Sequence, residues 1–268
     1  MTIIQEICDF LEQLAPLALA ESWDNVGLLL GDSHSEVERI MTCLTVSQAT
    51  VDEAVRRNCQ LIVSHHPAPF RPVTRLTTAD PTGRLLWKLA KSGIAIYSSH
   101  TAWDNASQGI NQQIADIIGL TNIHPLKPAT VRPESVGLGT GRFGELTRSQ
   151  TANNLLETIR KEIPSVQPSI IGNSTTEAKR VGIVCGSGAS LLELVEACAC
   201  DCLITGEANY HQCLEALHRN VTLILLGHHG SERFAMDVMA EHLSRQFSAL
   251  TIWASREEFD PTGNSFSA

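Results

Sequence analysis

Strands alternating with helices, in a series that occurs twice, predict an α/β protein of two pseudo-repeated lobes with mainly parallel sheets. Three observations carry this expectation. Short apolar runs such as Leu61–Ser64 and Cys202–Thr205 have the length and branched-residue content of buried strands. Helix-length segments separate them, one of which, Gly83–Lys91, is ended by Gly93. The second series also matches the first by residue: Ser47, Ala49, Glu53 and Val55 fall on Ser187, Ala189, Glu193 and Val195, each 140 positions later.

In order, Thr2 with Gln5 forms a capping box for a helix whose apolar face is Ile3, Ile7, Phe10, Leu11 and Leu14, stopped by Pro16. A polar loop, Glu21–Gly27, leads to apolar Leu28–Leu30. The first repeat then reads as strand Ile40–Val46, helix Ala49–Asn58, strand Leu61–Ser64, helix Gly83–Lys91 and strand Ile94–Ser99. The second reads as strand Val181–Cys185, helix Ser190–Ala199, strand Cys202–Thr205, helix Tyr210–Arg219 and strand Val221–Leu226. Lobes of about 39–120 and 179–247 in a single domain, 1–268, are thus expected, joined by a segment 121–178. That segment holds Pro-rich turns, a turn or hairpin at Gly137–Gly144 and a helix near Thr151–Glu162. Its glycines neither follow a clean strand nor open a helix, which argues against a dinucleotide loop. A helix Arg233–Phe247, a strand Leu250–Trp253 and a fraying polar tail, Arg256–Ala268, complete the chain.

The 268 residues suffice for a large core. Eight cysteines are scattered without a secretory signal, so reduced thiols in a cytoplasmic protein are expected. The run Cys198-Ala-Cys200-Asp-Cys202 lacks the spacing of a zinc ribbon and reads as buried or half-buried thiols. A net charge of −9 disfavours nucleic acid. No apolar stretch approaches the roughly 18 residues that span a bilayer, so no membrane is expected.

Chemistry concentrates at strand ends. The apolar run Leu61–Ser64 stops on His65-His66, and Leu223–Leu226 leads through Gly227 to His228-His229. Carboxyl ends of strands are where open α/β sheets bind ligands. The third strand of each repeat is followed by a histidine with an acid four residues later: His100 with Asp104, and His228 with Glu232. His65-His66 falls on Gly206-Glu207 in the second repeat. Adjacent histidines on an extended segment point to opposite sides, which suits two cations, one for each ring, with Asp104 and Glu232 as the available acids. Helix capping is the competing account of both acids: Ser231 is suited to be an N-cap and Glu232 to sit in the first turn, and Asp104 precedes a helix carrying Ile110, Ile114, Ile117 and Ile118. His100 and His229 are each a ligand, an orienting partner or a proton carrier, and Glu207 is a secondary candidate. His34, His124, His211, His218 and His242 read as solvent-exposed.

Five segments in order, Glu21-Ser-Trp-Asp-Asn-Val-Gly-Leu, Val63-Ser-His-His-Pro, Tyr97-Ser-Ser-His-Thr-Ala-Trp-Asp-Asn-Ala, Thr205-Gly-Glu and Gly227-His-His-Gly-Ser-Glu-Arg, make the chain resemble the GTP cyclohydrolase 1 type 2 family, also called the Nif-three-like proteins. The resemblance implies two similar α/β lobes facing a metal-containing cleft, a homohexamer, and two divalent metal cations per chain held by His65, His66, Asp104, His228 and Glu232, with Glu232 bridging. The short connecting segment resembles the form without an inserted domain. The implied activity is a dinuclear metal-dependent hydrolase: activated water attacks C8 of the guanine imidazole ring of GTP or a related small molecule, formate is released, and His100 or His229 moves the proton. Trp23 and Asn25 are candidate substrate contacts, the one by stacking and the other by pairing with a base edge. Zinc, iron, manganese, cobalt and nickel all suit these ligands. Two other functions fit the same residues: a two-metal phosphoester or amide hydrolase, and a non-enzymatic metal-binding or regulatory interaction protein.

Overall fold

The computed structural model describes residues 1–130, 137–164, 166 and 168–263, which divide into two compact units: Met1–Trp103 with Ala235–Thr262, and Asp104–Phe234. Each unit is built on a sheet with an inner strand buried along its whole length, Leu61–Ser64 in the first and Cys202–Thr205 in the second.

In the first unit the helix α1 (Ile4–Leu14) turns Ile4, Ile7, Cys8 and Leu11 inward. Fully burying each aliphatic side chain contributes about 1.5–3 kcal/mol. Its cap is one residue later than expected: Ile3 is the N-cap, and its N–H donates to Glu6 Oε2 at 2.9 Å. The sheet runs β1 (Gly27–Leu30), β4 (Ala95–Ser98), β3 (Leu61–Ser64), β2 (Arg39–Cys43) and β13 (Thr251–Ala254). β1 is antiparallel to β4, and the other pairings are parallel. The crossovers are α2 (Gln48–Arg56), whose first turn Ser47 caps by accepting from Thr50 N–H, and α3 (Pro81–Lys91), capped by Asp80 with Pro81 at its first position. Met41, Ile62, Ile96 and Trp253 from four strands meet Val51, Ala54 and Leu89 from these helices in one core.

In the second unit the order is β5 (Leu120–His124), β8 (Arg142–Thr151), β10 (Glu177–Val184), β11 (Cys202–Thr205), β12 (Thr222–Leu225) and β9 (Ser169–Ile171). Strands β10, β11 and β12 are parallel; β9 lies antiparallel to β12. The orders β1-β4-β3-β2 and β9-β12-β11-β10 are therefore the same, and the repeat gains an antiparallel strand that precedes each parallel series. The Gly-rich segment contains a turn: β7 (Gly139–Thr140), which pairs with β6 (Lys127–Pro128), leads through Gly141 into β8. α6 (Ala152–Glu162) is capped by Thr151. α7 (Leu192–Ala197) follows a 3-10 turn and is shorter than expected, and α8 (Tyr210–His218) lies close to its expected range.

Two expectations need correction. Helix α10 (Phe234–Gln246), counted with the second repeat by sequence, lies from Ala235 onward in the first unit, where Thr42 Oγ1 donates to the Met236 carbonyl at 2.7 Å. The start of the tail does not fray. Glu258 accepts from the N–H groups of Leu44 (2.9 Å) and Thr45 (2.6 Å), and Glu53 accepts from those of Arg256 (3.1 Å) and Glu257 (3.2 Å). Glu53, only 2% exposed, also accepts from Trp253 Nε1 (2.9 Å) and Ser255 Oγ (2.6 Å). One buried carboxylate thus fastens β13 and the residues after it.

All eight cysteines are free thiols, and six are buried. Among the described residues no helix is long and apolar enough to cross a membrane.

Candidate metal centre

β3 ends at Ser64 and the chain bends, carrying His65 and His66 out of the strand's alternation. Their N–H groups donate to the carbonyls of Cys43 (3.0 Å) and Leu44 (2.8 Å), and Ser98 Oγ donates to the His65 carbonyl at 2.6 Å. The expected splay to opposite sides is overturned, because side-chain alternation requires an extended backbone that stops one residue earlier. The two ring centroids are 5.3 Å apart. His100 joins them at 5.2 Å from His65 and 5.7 Å from His66. One nitrogen of each ring lies within 4.8 Å of the others, so small rotations bring all three onto one cation at the usual distance of about 2.1 Å. The residues present fit a metal.

His100 starts the short helix α4 (His100–Asn105) with φ +28°, a left-handed conformation unfavourable for a residue with a Cβ. Such strain, of order 1–3 kcal/mol, persists where the surroundings fix it. Asp24 is one of the fixing groups. Its side chain is fully buried, Oδ1 stands 2.7 Å from His100 Nδ1, and Oδ2 accepts from Thr101 N–H at 3.1 Å and from the Thr101 hydroxyl. Burial alone would raise the Asp24 pKa, but the hydrogen bonds from His100 and Thr101 outweigh it and hold the carboxyl below the usual range. With Nδ1 turned to a carboxylate, Nε2 is the His100 atom for the cluster; His66 is arranged likewise, its Nδ1 2.8 Å from Thr45 Oγ1.

Trp23 is 60% exposed and stands edge-on to His100, with ring centroids 6.0 Å apart. Asn25 Nδ2 donates to the Pro69 carbonyl at 2.9 Å, which ties this loop to the segment carrying Phe70.

The second unit gathers a different set. Gly227, at φ +79°, turns the chain from β12 into α9 (His228–Glu232). Ser231 is inside this helix and does not cap it: Oγ accepts from Gly186 N–H at 3.0 Å and donates to the His228 carbonyl at 2.9 Å. The capping account of Glu232 therefore fails. His228 lies between two carboxylates, with Nε2 3.2 Å from Glu232 Oε2 and Nδ1 3.1 Å from Glu207 Oε1. The hydrogen bond to Glu232, with Glu207 adding to it, overcomes burial and raises the His228 pKa to about 9. Glu207 is held below the usual range first by the Ser187 hydroxyl, against burial, and then by His228. Glu232 is 4% exposed, and a Cβ at Gly186 would collide with its carboxylate. His229 is half-buried one position along α9, about 100° round the helix.

Asp104 lies within α4, one turn after His100; the helix expected after it, α5 (Ile110–Ile117), does follow but is capped at Gly109, so the capping account of Asp104 fails. Its Oδ1 accepts from Cys185 Sγ at 3.3 Å and its carbonyl from Asn111 Nδ2 at 3.1 Å. Burial first, and then the Asp104 charge, push the Cys185 thiol well above its ordinary value. The next two carbonyls, of Asn105 and Ala106, accept from the buried guanidinium of Arg142 at 3.2 and 2.7 Å. Burial lowers Arg142 to about 10, which leaves it protonated near neutrality. Asp24, Cys185, Asn111 and Arg142 were not legible as parts of these clusters, since each acts from an element distant in sequence. The remaining histidines behave as expected at His34, His124, His211 and His218, while His242 is half-buried.

A family profile described as Duf34/NIF3 (NGG1p interacting factor 3) matches residues 2–261. The NIF3-like protein 1 of Drosophila melanogaster is 35% identical over 256 residues, 94% of this chain and 85% of that protein. A protein of Clostridium acetobutylicum named GTP cyclohydrolase 1 type 2 homolog is 29% identical over 262 residues, 96% of this chain and 97% of its own length. A Bacillus cereus protein related to NIF3 has the same fold, with a TM-score of 0.87 at 20% identity over 97% of this chain and 98% of its own.

Proposed function

This chain belongs to the Duf34/NIF3 family, and from that premise we propose that it is a metal-dependent hydrolase holding two divalent cations on His65, His66, Asp104, His228 and Glu232. The observation that carries the proposal is the gathering of His65, His66 and His100 with donor nitrogens within 4.8 Å, His100 being oriented by a buried carboxylate. Imidazoles arranged this way, with Nδ1 of His66 engaged by Thr45 and Nδ1 of His100 by Asp24, are typical of metal ligands. Assigning His228 and Glu232 to the same centre is supported by the matched strand ends of the repeat.

When bound, the cations would supply a water of lowered pKa and a Lewis acid for the group under attack. The chain's residues do the rest. Asp24 fixes the ring of His100, and Glu207 does the same for His228. Glu232, with two oxygens and a buried carboxylate, is suited to bridging. His229 is equipped to move a proton, and His100 does so unless its Nε2 joins His65 and His66 on a cation. The name of the Clostridium relative supports GTP, attacked at its guanine imidazole ring, as the substrate.

Formate released from GTP by metal-loaded protein, measured beside Glu232→Ala, tests this reading. Release well above the variant is expected. Turnover no greater than the variant's would exclude the cyclohydrolase activity.

A further inference from the structure

Beside the three histidines the first unit exposes what a soluble protein ordinarily buries. Trp23 is 60% and Phe70 51% exposed, yet between Trp23 and Asn25 the polar side chain of Asp24 is fully buried. The Trp23 and Phe70 rings lie 6.0 Å apart, tilted by 41°, and both stand edge-on to His100 at 6.0 Å. Asn25 holds the two loops together through the Pro69 carbonyl. The rings therefore form an aromatic lip beside His100, each at least half exposed to water.

Charge adds a second observation. Residues 67–79, which follow His66, include Arg71 and Arg75 and no acid, in a chain whose net charge is −9. Both arginines are exposed, and neither has an ion-pair partner among the described residues. Arg71 adjoins Phe70. An aromatic face followed by unpaired guanidinium groups complements one kind of ligand: a planar ring that stacks, bearing an anion that the guanidinium fork can grip.

We propose that Trp23, Phe70, Arg71 and Arg75 form a recognition surface for a heteroaromatic ligand bearing a phosphate chain. This deepens the small-molecule centre inferred above by assigning its specificity to the loop 67–79. Ring and phosphates are held by the protein itself, so binding does not require the cations. Stacking is tolerant of the base, so adenine and guanine nucleotides both bind.

Calorimetric titration of the full chain with ATP, GTP, inorganic tripolyphosphate and adenosine, all with chelator present, tests this. Both nucleotides bind. Phe70→Ala weakens both about tenfold and leaves tripolyphosphate unchanged, while an Arg71→Gln, Arg75→Gln double variant weakens nucleotides and tripolyphosphate and leaves adenosine unchanged. Because these side chains are exposed, the melting temperature stays at the wild-type value. Absence of nucleotide binding under chelator, or binding indifferent to both variants, overturns the proposal; so does a change of oligomeric state in Phe70→Ala with ligand binding intact, which would make the lip an interface between copies. Metal content, measured separately, reports on the hydrolase reading alone, so the two can fail independently.

Discussion

The two repeats share a strand order and differ in what they place at the strand ends. The first supplies imidazoles, His65, His66 and His100, with one buried carboxylate behind them. The second supplies carboxylates, Glu207 and Glu232, on either side of a single imidazole. Imidazoles dominate the first set and carboxylates the second, with Asp104 as the first repeat's own acid, and the structural reason is local: side chains past the last strand residue can change without disturbing the sheet that carries them. The same freedom appears in the helices. Glu53 and Glu193 occupy matched positions, yet Glu53 is buried and fastens β13, whereas Glu193 is exposed. The edge next to β2 carries a parallel strand, and the edge next to β10 an antiparallel one. A buried carboxylate is retained where a strand and the segment after it must be held.

The largest expected effect separates those two glutamates. Glu53→Ala leaves the donors of Trp253, Ser255 and the 256–257 backbone without their acceptor and costs about 3–5 kcal/mol. Glu193→Ala stays within about 0.5 kcal/mol. Denaturant unfolding of both variants measures the difference, and equal losses would dissolve the distinction. Acid sharpens it. Burial alone would raise the Glu53 pKa, but the hydrogen bonds of Ser255 and Trp253 outweigh it and hold it below the usual range. Its stabilisation is therefore complete above the ordinary glutamate value of about 4.3 and is lost as the pH falls through the lower folded value. The gap between wild type and Glu53→Gln should close over that window.

A smaller effect compares the orienting carboxylates. The Asp24 side chain is fully buried behind His100, while the Glu207 side chain is 54% exposed behind His228. Asp24→Asn should weaken metal binding about 10- to 100-fold, and Glu207→Gln by less than about tenfold, read by competition with a chromophoric chelator. Equal losses would mean that burial of the orienting group does not matter.

Much of this architecture is legible in the sequence because its signals are periodic. Strand ends at Ser64 and Thr205, and the two His-x-x-x-acid units, stand at fixed offsets that a repeat exposes. What escaped had no period. Asp24 reaches His100 across 76 positions, and Arg142 reaches Asn105 across 37. The opposite splay of His65 and His66 fails because it assumes strand geometry past Ser64, and Ser231 does not cap because α9 starts four residues earlier than a cap at Ser231 would set. The equality of Glu53 and Glu193 in alignment concealed opposite burial, since a neighbour supplied by β13, about 200 residues downstream, decides it.

Metal content per chain, determined on the native full-length protein and on His65→Ala, tests the central claim most directly. About two divalent ions per native chain, with a clear loss in the variant, is the predicted result. A native protein that binds none when offered zinc, iron, manganese, cobalt or nickel would contradict it.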